Sequence, residues 1–188
     1  MNIIKLKIVG TRPLIMHADT LADPLNPQTK RHKALTDKKK KSYDDYETIA
    51  KSEWLGGLYI DEQGPYLPGA NIHAALVDGG KLSKLGAQIK RSVDTLHDRY
   101  HLEYDGPRTA EELWNAEFFD ARTVKNPGSR ARLVRYRPMF RKWAVSVDLA
   151  FDPESINRDQ VIRCLSDAGQ YCGLGDYRPK FGRFEVSA

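Results

Sequence analysis

The stretch Gly173-Leu-Gly-Asp-Tyr-Arg-Pro-Lys-Phe-Gly-Arg-Phe-Glu-Val186 runs from the end of a predicted helix through the last predicted strand of this 188-residue chain. Before it, four apolar residues recur at the spacing of one helix face: Val161, Leu165, Ala168 and Cys172. Gly173 is expected to end this helix in the left-handed conformation that glycine adopts without strain. Arg183 to Val186 then alternates in the manner of a strand. The end of the chain therefore predicts a helix, a glycine-rich connection and a final strand.

Two segments upstream show the period-two alternation of strands with one buried face, Asn2 to Gly10 and Trp143 to Phe151. Between them, Ser42-Tyr-Asp-Asp predicts the start of a helix that ends near Gly56. A further helix follows Pro68-Gly-Ala-Asn71, with Asn71 as its cap. The order of strand, helix, strands, helix and strand predicts an α+β protein. We expect a ferredoxin-like (RRM-like) βαββαβ antiparallel sheet with both helices on one face.

The composition is that of one globular domain, with 40% hydrophobic and 29% charged residues. No apolar run approaches the roughly 20 residues of a membrane span, and the N-terminus lacks the features of a secretory signal. We therefore expect a cytoplasmic protein. Cys164 and Cys172 are eight residues apart in a predicted helix, about 12 Å at 1.5 Å per residue, which is too far for a disulfide. They are expected to be buried thiols.

The net charge is +5, and its distribution indicates an anionic partner. From Ala121 to Lys142 there are eight cations, no acidic residue, and interleaved aromatic residues. Arginines and aromatics together combine phosphate pairing with base stacking, which favours nucleic-acid contact over a solvated face. A second basic run, Lys30 to Lys41, is interrupted only by Asp37. For this second run, a solvated surface and a nucleic-acid contact both remain open.

The closing stretch is not a phosphate-binding loop of a known nucleotide type. The Gly-x-Gly of a dinucleotide site follows a strand and opens a helix, whereas Gly173 and Gly175 come after a helix. These glycines leave backbone uncovered, so that another backbone can approach. The neighbouring residues that we expect to contact RNA bases and phosphates are Tyr177, Arg178, Lys180, Phe181 and Arg183. The alternative is a simple helix stop and turn, with Phe181 and Phe184 in the core.

Two further groups of residues raise the possibility of catalysis or metal binding. His97-Asp-Arg-Tyr-His101 resembles a zinc-binding helix, but its apolar neighbours favour extended structure and no third ligand is evident. We therefore expect no metal there. His17, Asp19 and Asp23 follow the first strand, where an imidazole and two carboxylates could support acid–base chemistry or hold a divalent cation. The alternative is a capped surface loop.

Tyr66-Leu-Pro-Gly-Ala-Asn-Ile-His-Ala-Ala-Leu76 and the closing glycine-rich stretch together resemble two motifs of the CRISPR-associated RAMP superfamily. The first resembles the segment at the start of the first helix of those proteins, and the second their signature before the last strand. The resemblance implies a single RAMP-like domain over residues 1–188, with insertions at about Thr11 to Gly64 and Thr95 to Lys142. It also implies RNA contacts near Gly69, Asn71 and His73, where helix amides would form an anion site.

Among such proteins, the chain's plan resembles a backbone subunit of a Cascade-like effector, with finger-like and thumb-like insertions. The resemblance implies binding of single-stranded guide RNA through phosphates and stacking, without sequence readout. Copies would stack head to tail in a helical assembly beside other effector subunits. We expect further phosphate contacts on an inserted hairpin that carries Arg130, Arg132, Arg135 and Arg137.

Two alternatives stay open at this point. One is a metal-dependent endoribonuclease that cuts target RNA through Asp19 or Asp23, and only this alternative calls for Mg²⁺. The other is a single-stranded DNA-binding protein of a phage or mobile element. The expected backbone subunit is not an enzyme and needs no cofactor.

Overall fold

The structure, a computed structural model, describes residues 1–125, 128 and 130–187 and has the expected α+β class with antiparallel sheets. The strands are β1 (Asn2–Gly10), β2 (Leu14–Ile15), β3 (Ile60–Asp61), β4 (Gly64–Pro68), β5 (Val93–Thr95), β6 (Arg99–His101), β7 (Phe119–Lys125), β8 (Arg132–Phe140), β9 (Ala144–Phe151) and β10 (Phe184–Ser187). The helices are α1 (Pro27–Thr36), α2 (Tyr43–Gly56), α3 (Gly69–Leu82), α4 (Gly86–Ser92), α5 (Ala110–Leu113) and α6 (Arg158–Asp167).

A four-stranded antiparallel sheet in the order β10-β1-β9-β5 forms the centre of the protein. The alternation predicted for β1 is present: Ile4, Leu6 and Ile8 are buried, while Lys5 and Lys7 are exposed on the opposite face. Helices α3 and α6 contact each other, and their apolar residues belong to the same core cluster as the buried residues of β1. The two helices therefore cover one face of this sheet and leave the other face open.

The segment between β1 and α3 contains more helix than the sequence predicted. Helix α2 begins with the expected capping box between Ser42 and Asp45. The first part of the lysine-rich run before it also lies in a helix, α1, because Pro27 occupies the first turn of that helix and the Asn26 side chain accepts a hydrogen bond from the Gln28 amide at 2.9 Å; Lys38 to Lys41 follow the end of α1. Helix α1 has no buried residue.

Helix α3 starts three residues earlier than expected. It begins at Gly69 directly after Pro68, and no side chain caps it, so Asn71 is not its cap. The proline provides the extended backbone that precedes the helix, with φ of −60° and ψ of 136°. Asn71 is thereby in the first turn, with its side chain free for another role.

The segment between β5 and β9 contains a long hairpin, β7–β8. Its base packs through a group of aromatic rings, Tyr104, Phe118 and Phe140, whose centroids lie 5.0–5.7 Å apart. Strand β8 also pairs with the short strand β2, with Leu14 opposite Phe140. The segment after β1 and the hairpin are therefore joined in one small sheet of order β2-β8-β7.

The chain ends as the sequence predicted. Helix α6 has its capping box at Asn157 and Gln160, continues in a π-helical turn over residues 168–172, and ends at Gly173 with φ of 79°. Cys164 is buried and Cys172 only half-buried; both are free thiols, and burial raises the pKa of each. In the described ranges, no helix is both long and apolar enough to cross a membrane.

Candidate nucleic-acid interface

The closing loop, residues 173–183, is fixed against the chain's own backbone. The Asp176 amide donates to the Ile15 carbonyl and the Gly182 amide to the Pro13 carbonyl, both at 2.8 Å. A Cβ atom on Gly182 would lie 1.7 Å from the Leu174 carbonyl oxygen, and Gly182 has φ of 69°. The backbone that the glycines allow to approach is therefore that of the segment after β1. Gly173 is buried within this arrangement.

A cavity of about 240 Å³ opens between four separate parts of the chain. We call it the cleft; its lining residues are His17, Tyr59, Asn71, Ala74, Leu174, Gly175, Asp176 and Arg178. Four of them had been predicted as site residues: His17, Asn71, Gly175 and Arg178. The structure thus brings together the segment after β1, the first turn of α3 and the closing loop.

The cleft has polar side chains that remain available to a ligand. His17 is exposed, and its side chain has no hydrogen bond or ion pair to another described residue. The Asn71 side chain is half-buried and likewise has no hydrogen-bond partner in the described ranges. Arg178 is exposed at the rim, where its Nη1 lies 3.5 Å from Asp78 Oδ2. Lys180, farther along the loop, is exposed as well.

Tyr177 and Phe181 are held by an arginine that the sequence analysis did not single out. The Arg122 guanidinium lies 4.9 Å from the ring centroid of Tyr177 and 4.4 Å from that of Phe181. It also forms a bidentate pair with Asp120, which raises the pKa of Arg122. The sequence contained a signal for this ion pair, because Asp120 and Arg122 are two residues apart and such residues share a face when they lie on a strand. Tyr177 keeps 36% of its surface exposed, whereas Phe181 is half-buried.

Two of the four hairpin arginines form ion pairs within the protein. Arg135 forms an ion pair with Glu53 of α2 at 2.7 Å. Arg137 is only 8% exposed and its Nε lies 2.7 Å from Asp176 Oδ2. Arg130 and Arg132 are exposed and form no ion pair with the residues that the structure describes. The hairpin keeps these two as candidate phosphate contacts.

Several other predicted contacts do not line the cleft. The Gly69 amide donates to the Asp98 carbonyl at 2.8 Å, so it is unavailable to an anion. His73 Nε2 lies 3.0 Å from the Val93 carbonyl oxygen and joins α3 to β5. Arg183 donates from Nε to the Pro179 carbonyl and lines a separate groove. These three groups therefore make contacts within the protein and do not line the cleft.

The candidate catalytic residues do not converge on a metal site. Asp23 Oδ1 accepts a hydrogen bond from the Leu25 amide at 2.9 Å, as in a capped surface loop. Asp19 and His17 line a second cavity of about 370 Å³. In the described part of the chain, no group of three or more histidine, cysteine or acidic residues could hold a metal ion.

The open face of the central sheet offers no aromatic side chain on its two middle strands. The side chains there are Ile3, Lys5, Lys7, Val9, Ala144, Ser146 and Asp148. Lys7 Nζ forms an ion pair with Glu103 at 2.6 Å. Sheet surfaces that bind RNA stack bases on aromatic residues, so the cleft is the better candidate interface.

No protein-family model matches this sequence, and no curated protein matches it significantly. Among solved structures, the chain is similar to a chain in the cryo-EM structure of the Type III-B Cmr-beta bound to cognate target RNA. The two share 12% sequence identity at a TM-score of 0.49, and the alignment covers 99% of this chain. It covers 58% of the other chain, so this protein spans somewhat more than half of that chain's length.

Proposed function

We propose that this protein binds single-stranded RNA in the cleft, as a backbone subunit of a CRISPR-type effector. We further propose that the central sheet with α3 and α6 is a ferredoxin-like core. The strand order β10-β1-β9-β5 supports this, because a βαββαβ chain with its last strand beside its first has this order. The sequence resemblance to RAMP proteins at the start of α3 and at the closing loop supports the family.

One observation carries the RNA-binding proposal. The two stretches that resemble RAMP motifs are more than 90 residues apart in sequence, yet Asn71 of the first and Gly175 and Arg178 of the second line the same cavity. A third contribution, His17, comes from the segment after β1. Core packing does not require these side chains. They lie together at the surface, where those of His17 and Asn71 have no hydrogen-bond partner among the described residues.

The chemistry of the cleft suits a nucleic-acid strand without sequence readout. Arg178 and Lys180 supply cations for phosphates, and the exposed part of Tyr177 supplies a ring for stacking. The Asn71 amide and the His17 imidazole can bond to 2′-hydroxyl groups, which would distinguish RNA from DNA. Removing a phosphate contact should therefore weaken binding to all sequences about equally.

For the assembly, we propose that copies stack head to tail along the RNA. The segment between β6 and β7 carries exposed acidic residues: Glu103, Asp105, Glu111, Glu112 and Glu117. These could face the basic hairpin of a neighbouring copy, which is a heterologous contact that forms filaments rather than closed rings. The exposed Arg130 and Arg132 are suited to such a contact as well as to phosphates.

The test is equilibrium binding of labelled single-stranded RNA and DNA of increasing length, at two salt concentrations, with Mg²⁺ and with EDTA. We expect RNA to bind more tightly than DNA, and its affinity to rise in steps with length. Equal affinity for DNA would favour a single-stranded DNA-binding protein instead. RNA shortened only in Mg²⁺ would favour an endoribonuclease, and binding to neither polymer would refute the proposal.

A further inference from the structure

The cleft and the second cavity meet at one residue. His17 lines both the cavity of about 240 Å³ and that of about 370 Å³. The second cavity extends away from the closing loop, between the segment after β1, the helices α1 and α2, and the hairpin. Its residues from these elements include Asp19, His32, Gly56 and Arg135. The two cavities therefore adjoin at the side chain of His17.

The wall of the second cavity suits a nucleobase better than a phosphate. Carbon and backbone surfaces contribute much of it, from Ala18, Leu21, Ala22, Gly56 and Gly57. Its one arginine, Arg135, is already paired with Glu53 at 2.7 Å. The carboxylate of Asp19 would repel a phosphate, but it can accept a hydrogen bond from the amino group of a base.

Helix α1, which contributes one wall of this cavity, also carries exposed cations that do not line the cavity itself. His32 of α1 lines the cavity, and the same helix presents Lys30, Arg31 and Lys33 to solvent. These three form no ion pair with any residue in the described ranges. Helix α1 contains no acidic residue and no buried one, so neither charge balance nor the core accounts for its composition.

We propose that the second cavity is a further nucleotide subsite: the strand bound in the cleft continues past His17, places a base in this cavity, and lays its phosphates along α1. This inference rests on the proposed binding of a strand in the cleft. It assigns a role to the lysine-rich segment, for which the sequence alone favoured neither a contact nor a solvated surface.

A cavity-filling variant tests the base contact. Ala22 is exposed and lines the second cavity but not the cleft. In Ala22→Trp, short oligoadenylates that occupy only the cleft should bind as they do to the unchanged protein. The gain in affinity on lengthening the strand should fall about tenfold, the size of one lost base contact. Ala34→Trp, on an exposed position of α1 outside the cavity, is the matched control and should keep the gain.

A charge variant tests the phosphate contacts independently. Lys30→Gln, Arg31→Gln and Lys33→Gln together should make the slope of log K against log salt less negative by about 2, since each contact to a single strand contributes about 0.7. The control removes the same number of cations near α4, by Lys84→Gln, Lys90→Gln and Arg91→Gln. It should leave the slope unchanged.

The outcomes separate this inference from the proposed function. Suppose that short strands bind, that Ala22→Trp keeps the full gain in affinity with strand length, and that both charge variants behave alike. The proposed subsite in the second cavity is then wrong, while the proposal that the cleft binds RNA is unaffected. If the unchanged protein binds no single strand at any length, the proposed function fails and the subsite with it. Thermal unfolding of each variant shows that a loss of binding is not a loss of fold.

Discussion

Arg137 of the hairpin, which is buried, and Asp176 of the closing loop, which is half-buried, form an ion pair with 2.7 Å between Nε and Oδ2. Arg137 also lies directly opposite Asp120 on the neighbouring strand, and Asp120 in turn holds Arg122 against the rings of Tyr177 and Phe181. Within the described residues, neither Nε nor Nη1 of Arg137 makes an aligned hydrogen bond, so Nε meets Asp176 as a charge contact. The hairpin is thus fastened to the closing loop by charge as well as by aromatic contacts.

Removing Asp120 should destabilise this junction. Asp120 is only 7% exposed. Asp120→Ala therefore leaves the guanidinium groups of the buried Arg137 and the half-buried Arg122 with less compensating negative charge. We expect a loss of about 3 kcal/mol in the free energy of unfolding, measured by urea denaturation. Asp159→Ala removes an almost fully exposed carboxylate and should leave the denaturation midpoint unchanged. Equal midpoints for the two variants would contradict a structural role for Asp120.

The closing loop should not tolerate a side chain at Gly182. Its φ of 69° is strained for other residues, and a Cβ atom would lie 1.7 Å from the Leu174 carbonyl oxygen. Gly182→Ala should therefore cost about 3 kcal/mol or more in unfolding free energy. Gly57→Ala is the control, because φ there is −91° and the nearest atom, Pro138 Cδ, would be 3.3 Å away. A similar small effect at both positions would mean that the closing loop can move to accommodate a side chain at Gly182 with little loss of unfolding free energy.

Asp61 should make stability depend on pH. Burial acts to raise its pKa, but hydrogen bonds from His101, the Gln63 amide and Arg99 together lower the pKa of this carboxyl below its usual range. A lowered pKa in the folded state stabilises the protein above the unfolded value of about 3.9, and this contribution is lost as pH falls through the folded pKa.

Asp61→Asn should accordingly lower Tm at pH 7, and the difference from the unchanged protein should shrink as the pH is brought below about 4. Asp105→Asn, at an exposed position without a described ion pair, should show no such change across the same range. A Tm difference for Asp61→Asn that is constant with pH would contradict the assignment.

Much of the frame was predictable because it follows from local patterns. The alternation of β1 and β9 and the capping residues Ser42 and Asn157 each act within a few neighbouring positions. The roles of the hairpin arginines were not predictable in this way. Whether Arg135 and Arg137 meet phosphates or carboxylates depends on Glu53 and Asp176, residues about 80 and 40 positions away in sequence.

The cleft was partly predictable for the same reason. Two motifs pointed to Asn71 and Arg178, but only the pairing of the closing loop with the segment after β1 brings His17 to them. Gly69 and Arg183 belonged to the same motifs, yet their backbone and side-chain groups are used by Asp98 and Pro179. A motif indicates a region, and the competing partners in that region decide which groups remain free.

Tyr177 should contribute to RNA binding separately from the fold. Tyr177→Ala should weaken single-stranded RNA binding about tenfold, because one ring for stacking is lost. Tyr43→Ala is a matched control, since Tyr43 is 93% exposed and lines neither the cleft nor the adjoining pocket that Tyr177 lines. It should bind as the unchanged protein does. Equal binding by Tyr177→Ala would exclude stacking at this ring.

The most direct test of the account is the site at which RNA cross-links to the protein. Photo-cross-linking of single-stranded RNA, followed by mass spectrometry of the protein–RNA peptides, should yield peptides that contain His17, Asn71 or Tyr177. These residues line or flank the cleft. Cross-links confined to the open sheet face, at Lys5 or Lys7 of β1, would contradict the central claim that the cleft binds the strand.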